Sequence, residues 1–207
     1  ALVLQQLRKY KAYNPEKEYV LYNGVDREKF YKKVSISNEV FTIGCIGNFW
    51  EIKNQMVLIK SVQEILKSGN IIKLRLVGSG PTLKSCKKYV VEHNLSNYVF
   101  FENEFAHEDL NNFYNEIDLF VMPSHYEAFG CVYLESWAAE IPFIAIEGQG
   151  ISEIIPDNKK MLAKRNNPND IANKILFFMQ NKYKLPSVKD FDIKHTIRNF
   201  LLLDIFK

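Results

Sequence analysis

The sequence has little of what marks several common protein classes. Cysteine is scarce: Cys45, Cys86 and Cys131 make an odd number with no close pair. That pattern excludes a disulfide framework and a CxxC zinc site, and suits small buried thiols in a reducing compartment. The four histidines, at positions 93, 107, 125 and 195, are scattered without metal-ligand spacing, so no metal site is expected. One Asp-x-Asp run occurs, DFD at 190–192, and it reads as a helix N-cap at Asp192 rather than a cation site. An excess of one charge is also lacking. The formal net charge is +3 over 207 residues, too small for the basic stripe that nucleic-acid binding needs. No apolar run reaches the roughly 18 residues that a membrane-spanning helix requires. The opening ALVLQQLRKYK carries neither a secretory signal pattern nor an initiator Met. A cytoplasmic protein cut from a longer chain is the expectation.

What is present is an alternation. VFTIGCIG (40–47), IIKLRLVGSG (71–80), YVFFEN (98–103), DLFVMPS (118–124) and PFIAIEG (142–148) are short apolar runs with strand character. Between and after them lie helical patterns at 55–69, from Pro81 through His93, at 107–117, after Gly130, at 168–181 and at 192–206. Strands alternating with helices of 10–15 residues indicate βαβ units. The expected fold is α/β: a doubly wound, mostly parallel sheet with helices on both faces. Such a sheet binds ligands beyond the carboxyl ends of its strands. The glycines collect at those ends, at Gly44 and Gly47, Gly78 and Gly80, Gly130, Gly148 and Gly150.

Three turns bear on chemistry. LVGSGP has the first two glycines of a dinucleotide fingerprint, but Leu83 stands where the third should be; a tight strand-to-helix turn is the favoured reading. In GNFWEIKNQ (47–55), Lys53 stands at the start of a helix. Unsatisfied N–H groups and a lysine there suit a phosphate, although lysines near helix ends are commonly just solvated. In HYEAFGCVYLES (125–136), Glu127 and Glu135 flank a Phe-Gly pair. Two carboxylates beside an anion-attracting helix start make sense if they accept hydrogen bonds from sugar hydroxyls on either side of a diphosphate. The alternative is that Glu127 merely complements the helix dipole and Glu135 forms a surface ion pair.

In order and spacing, these motifs resemble the donor-binding domain of GT-B-fold retaining glycosyltransferases of family GT4. YNGVD (22–26) is similar to the family's PNGVD, GNFWEIKN to GRLxxxKG, LVGSGP to VGDGP, and GQGISEII to the GGxxEI turn. PSHYEAFGCVYLESWAAEIP resembles the family's E-x7-E segment. The resemblance runs from residue 20 to about 181. It implies that Glu127 binds donor-sugar hydroxyls, with the Phe129 and Gly130 N–H groups on the same sugar. It implies that Glu135 binds the ribose, that Lys53 neutralises the diphosphate beside Gly47 and Asn48, and that the Cys131 and Val132 N–H groups meet phosphate oxygens. Glu127 and Lys53 are then the residues nearest the chemistry. Asn103 to Phe105 would flank the base.

Asn48 stands where most members carry a second phosphate-binding arginine, and brings no charge. Ala128 and Glu140 replace usual glycines, and Trp137 reads as core packing.

The implied organisation is a lead-in segment (1–19) from a missing N-terminal acceptor domain, a nucleotide-sugar-binding domain (20–185), and a C-terminal helix (186–207) directed toward the missing half. No cofactor is implied beyond a nucleotide-sugar substrate such as a UDP- or GDP-hexose. The acceptor would be a glycan or a lipid-linked one, with the missing half able to sit at a membrane face. Two other readings stay open: a sugar-nucleotide epimerase of the same architecture, and a non-sugar dinucleotide-binding module.

Overall fold

The computed structural model describes residues 8–9, 19–33, 38–155 and 157–202. Six strands form one sheet: β1 (Thr42–Ile46), β2 (Lys73–Val77), β3 (Val99–Glu102), β4 (Leu119–Val121), β5 (Phe143–Ile146) and β6 (Leu162–Ala163). Their order is β3-β2-β1-β4-β5-β6 and every pairing is parallel. The helices are α1 (Gln55–Lys67), α2 (Leu83–Glu92), α3 (Leu110–Asn115), α4 (Cys131–Ala138), α5 (Asn158–Met161), α6 (Pro168–Gln180) and α7 (Ile193–Leu201).

The strands are apolar because both faces are covered. Every residue of β4 and β5 is buried. Ile43 of β1, opposite Leu74 and Leu119, is fully enclosed. Helix α1 buries Val57, Leu58, Ile59, Val62 and Ile65 and packs against α6. The chain winds outward from β1 to β3, returns to the centre at β4, and winds the other way to β6. The loops leaving β1 and β4 therefore diverge, and a crevice opens between them at the carboxyl ends.

The expected elements are present with shifted ends. The turn after β2 delays α2: the Thr82 N–H and hydroxyl both donate to the Phe49 carbonyl, at 2.9 and 2.8 Å, so helix begins at Leu83 instead of Pro81. LVGSGP is a tight turn that clamps the loop after β1; the Phe49 N–H donates to the Ser79 carbonyl at 2.6 Å. Residues 107–109 form a 3-10 turn ahead of α3. Trp137 is a core residue, as read, and its Nε1 donates to the Pro186 carbonyl at 2.7 Å. Asp192 caps α7 through the Lys194 N–H, also as read.

The segment before α7 belongs to this fold. Val25 and Asp192 form a parallel bridge, with the Val25 N–H on the Phe191 carbonyl and the Ile193 N–H on the Val25 carbonyl. Val25 and the turn that leads into α7 are thus tied together. Helix α7 itself buries none of its residues, and Ile197, Leu201 and Leu202 are exposed. Most of the expected lead-in segment, and residues 203–206 of the expected last helix, lie outside the described residues. No described helix is long and apolar enough to cross a membrane.

Candidate functional site

The loop leaving β1 carries Gly47, Asn48 and Lys53. Lys53 ends a 3-10 turn (Glu51–Lys53), and Asn54, at φ 51°, separates it from α1. It therefore stands on the short turn two residues ahead of α1 rather than on α1 itself, and its side chain reaches across the crevice. Buried Gln55 holds this loop from below, its Nε2 donating to the carbonyls of Gly47 and Asn48 at 3.1 Å each. The Asn48 side chain is exposed.

The loop leaving β4 brings Glu127 to the same place. Lys53 Nζ lies 2.7 Å from Glu127 Oε2. Both side chains are mostly shielded, at 27% and 18% exposure, so the pair is screened less than one on the open surface. Gly130, at φ 79°, caps α4 in the left-handed region, and a Cβ there would press on the Tyr133 ring and Glu127 Cγ. Among the described residues, the Phe129, Gly130 and Val132 N–H groups meet no protein acceptor. Unsatisfied donors at a helix start form an anion-binding concavity.

A buried network fixes this loop. Tyr133 donates to Gln149 Oε1 at 2.8 Å, and Gln149 Nε2 donates to the Ser124 carbonyl at 2.8 Å. The Gly150 N–H reaches the Glu127 carbonyl at 3.3 Å. The GQG turn thus sets the backbone that carries Glu127.

Glu135 lies one turn into α4 and is 9% exposed. It forms no surface ion pair: Tyr114, fully buried, donates to Glu135 Oε2 at 2.8 Å. Burial raises the carboxyl above its ordinary 4.5, while the Tyr114 hydrogen bond and His107 nearby pull it back in part. The folded chain therefore holds this proton more tightly than the unfolded chain. The stability this group contributes is full below 4.5 and is lost as pH rises through the raised value. Glu135→Gln keeps an acceptor for Tyr114 and removes the charge. Urea denaturation from pH 4 to 8 should show the parent losing stability relative to Glu135→Gln across that window. Parallel curves would mean that the carboxylate is solvated.

Asn103 is exposed beyond β3, and Phe105 is half-buried with its ring 5.7 Å from Phe113. Neither touches the Lys53–Glu127 cluster by any contact seen here. Sequence reasoning missed Tyr22, Asn23, His107, Tyr114 and Gln149. Tyr22 sets its ring 5.6 Å from Phe129 and donates to Glu153 at 3.0 Å. Asn23 reaches Cys131 Sγ at 3.4 Å. The YNGVD motif was visible, but nothing in it told that it lines the crevice. No group of histidine, cysteine and carboxylate able to hold a metal ion occurs among the described residues.

Known proteins resemble this chain in sequence and in fold. Residues 26–193 match the family described as Glycosyl transferases group 1. MJ1178, an uncharacterized glycosyltransferase of Methanocaldococcus jannaschii, is 31% identical over 164 residues, which are 79% of this chain and 44% of that protein. A glycosyltransferase of Rickettsia africae ESF-5 matches 97% of this chain and 60% of its own, with a TM-score of 0.82 at 18% identity. Anabaena Alr3699/HepE, solved in complex with UDP and glucose, matches 92% of this chain and 57% of its own, with a TM-score of 0.77 at 19% identity. The six-stranded parallel sheet with helices on both faces is thus the Rossmann-like fold that these glycosyltransferases share. The chain spans less than two thirds of each of these proteins, and it belongs to the glycosyl transferases group 1 family.

Proposed function

We propose that this chain is the donor-binding part of a retaining glycosyltransferase of the GT4 type, which moves a hexose from a nucleoside diphosphate to a glycan or lipid-linked acceptor. The observation that carries the reading is the convergence, at the point where the sheet reverses direction, of Lys53, Glu127 and the open N-terminus of α4. The diphosphate would lie over the Cys131 and Val132 N–H groups with Lys53 beside it. The hexose would extend toward Glu127, Phe129 and Gly130, and the ribose toward Glu135. As the glycosidic bond breaks, negative charge grows on the leaving diphosphate. A fixed cation and helix-start N–H groups stabilise that charge without reorganising. No nucleophile paired with an activating base is part of this reading. Alr3699/HepE is described with UDP and glucose bound, which supports a nucleotide sugar as the ligand class here.

Cys131 offers a direct test. It is the exposed thiol, whereas burial pushes Cys45 up to about 12 and Cys86 up to about 11. Burial, and then Glu135, also raise Cys131, so labelling should be done at alkaline pH, where more thiolate is present. One thiol per folded chain should react rapidly with a disulfide reagent. A panel of UDP-, GDP- and ADP-hexoses should contain one that slows this reaction and raises the melting temperature. A ligand that raises the melting temperature yet leaves the Cys131 rate unchanged would place the phosphates elsewhere. Glu135→Gln should weaken the bare nucleotide by roughly 1.5–3 kcal/mol, the worth of a charge-assisted hydrogen bond.

A further inference from the structure

In this structure Lys53 is already engaged, and its partner is the other main residue of the site. The ammonium that would hold the diphosphate and the carboxylate that would hold the sugar are 2.7 Å apart. The backbone that carries this carboxylate is held in place from behind, while the carboxylate's own contact is Lys53. The Glu127 carbonyl accepts from the Gly150 N–H, and the Glu127 Cγ lies over Gly130, where a Cβ would come within 2.9 Å of it. Glu127 can thus turn to either of two partners from one fixed backbone position.

The geometry points to Glu127 as the residue that distinguishes the intact nucleotide sugar from the spent nucleoside diphosphate. This inference rests on the donor-binding reading above. An intact donor supplies hexose hydroxyls that donate to Glu127, so Lys53 is released to the phosphates at no loss to the carboxylate. A bare nucleoside diphosphate supplies none. It must take Lys53 from Glu127 and leave that carboxylate facing its terminal phosphate. Once the hexose has left, that phosphate can lose a second proton near pH 6, so it presents one more negative charge than the donor does. Glu127 then competes for Lys53 and repels the product, which favours release of the leaving group after transfer.

The test is calorimetry of UDP, GDP, ADP and their hexose derivatives against the parent, Glu127→Gln and Lys53→Gln/Glu127→Gln. Gln is isosteric and can still accept from Lys53, and melting curves check the fold. Glu127→Gln should bind the bare diphosphate about fivefold more tightly than the parent, within the range a partly screened ion pair supports. It should bind the hexose derivative more weakly. Removing Lys53 as well should abolish most of the gain. In the parent alone, the preference for donor over bare diphosphate should grow from about pH 5 to 8, as the terminal phosphate ionises. A purely structural Glu127 would not produce that profile. Unchanged or weaker binding of the diphosphate by Glu127→Gln, or a flat pH profile in the parent, overturns the inference while leaving the nucleotide reading intact. Absence of every nucleotide from both parent and variant removes the nucleotide reading and the inference together.

Discussion

Gly150→Ala is expected to cost this chain roughly 3 kcal/mol of stability, the upper end of what overpacking does, and to abolish binding in the crevice. A Cβ at Gly150 would lie 1.8 Å from the Ala128 carbonyl oxygen, 2.9 Å from its carbon and 3.3 Å from Phe129 Cα. All three are backbone atoms, so no side-chain rotation relieves the clash. The loop stretch 127–129 has to move, and it carries Glu127. It cannot move freely, because the buried Tyr133–Gln149–Ser124 chain holds both sides of the contact. For a chain of this size the loss amounts to a fall of about 6–12 °C in melting temperature. Gly148→Ala is the comparison. Gly148 has φ 80° but nothing within 4 Å of a Cβ. It should cost only the left-handed penalty, about 1–2 kcal/mol, and leave ligand binding in place. Differential scanning calorimetry and a nucleotide-sugar titration on both variants decide the matter. If Gly150→Ala melts like the parent and binds like it, the GQG turn does not position Glu127.

That pair also shows what a single sequence could and could not tell. Glycines at 148 and 150 were visible as a turn at a strand end, and the sheet itself was legible because strands buried on both faces must be apolar throughout. Which glycine is required for space and which for backbone angle was not legible, since that depends on Ala128, 22 positions away in sequence. The same limit governs the site. Lys53 and Glu127 were each singled out from their own turn, but their pairing spans 74 positions. Tyr114 was simply one residue of the helical pattern at 107–117, and only the fold shows it donating to Glu135. Helix ends were misplaced where a side chain had another use, as at Thr82, whose hydroxyl serves the Phe49 carbonyl instead of the helix. Strand β6 has two residues, Leu162 and Ala163, too few to leave a pattern.

The chain as given is expected to bind its nucleotide sugar yet transfer no sugar at an enzyme's rate. Binding is expected because the proposed donor contacts all come from one folded unit, from Gly47 in the loop after β1 to Glu135 in α4, and that unit encloses its own core. Transfer is a different matter. Holding an acceptor hydroxyl against the anomeric carbon is worth up to ~7–11 kcal/mol of the barrier, a factor of roughly 10⁵–10⁸ in rate. Lys53 and Glu127 keep 27% and 18% of their side chains exposed, and an acceptor has to be held against that exposed side. Around it the surface is unusually apolar for exposed chain: Trp50, Ile52 and Tyr126 are 56%, 46% and 56% exposed. Exposed apolar surface of this kind marks a contact face. The MJ1178 protein is more than twice as long as the segment matched here, which is 44% of it, so there is chain in that relative to meet such a face. An assay with radiolabelled donor and an extract of candidate acceptors should therefore give a slow hydrolysis background and no labelled glycan or lipid. Calorimetry on the same preparation should show a bound donor. Labelled product at ordinary enzymatic rates from this chain alone would mean that the acceptor is held by the Trp50–Tyr126 surface itself.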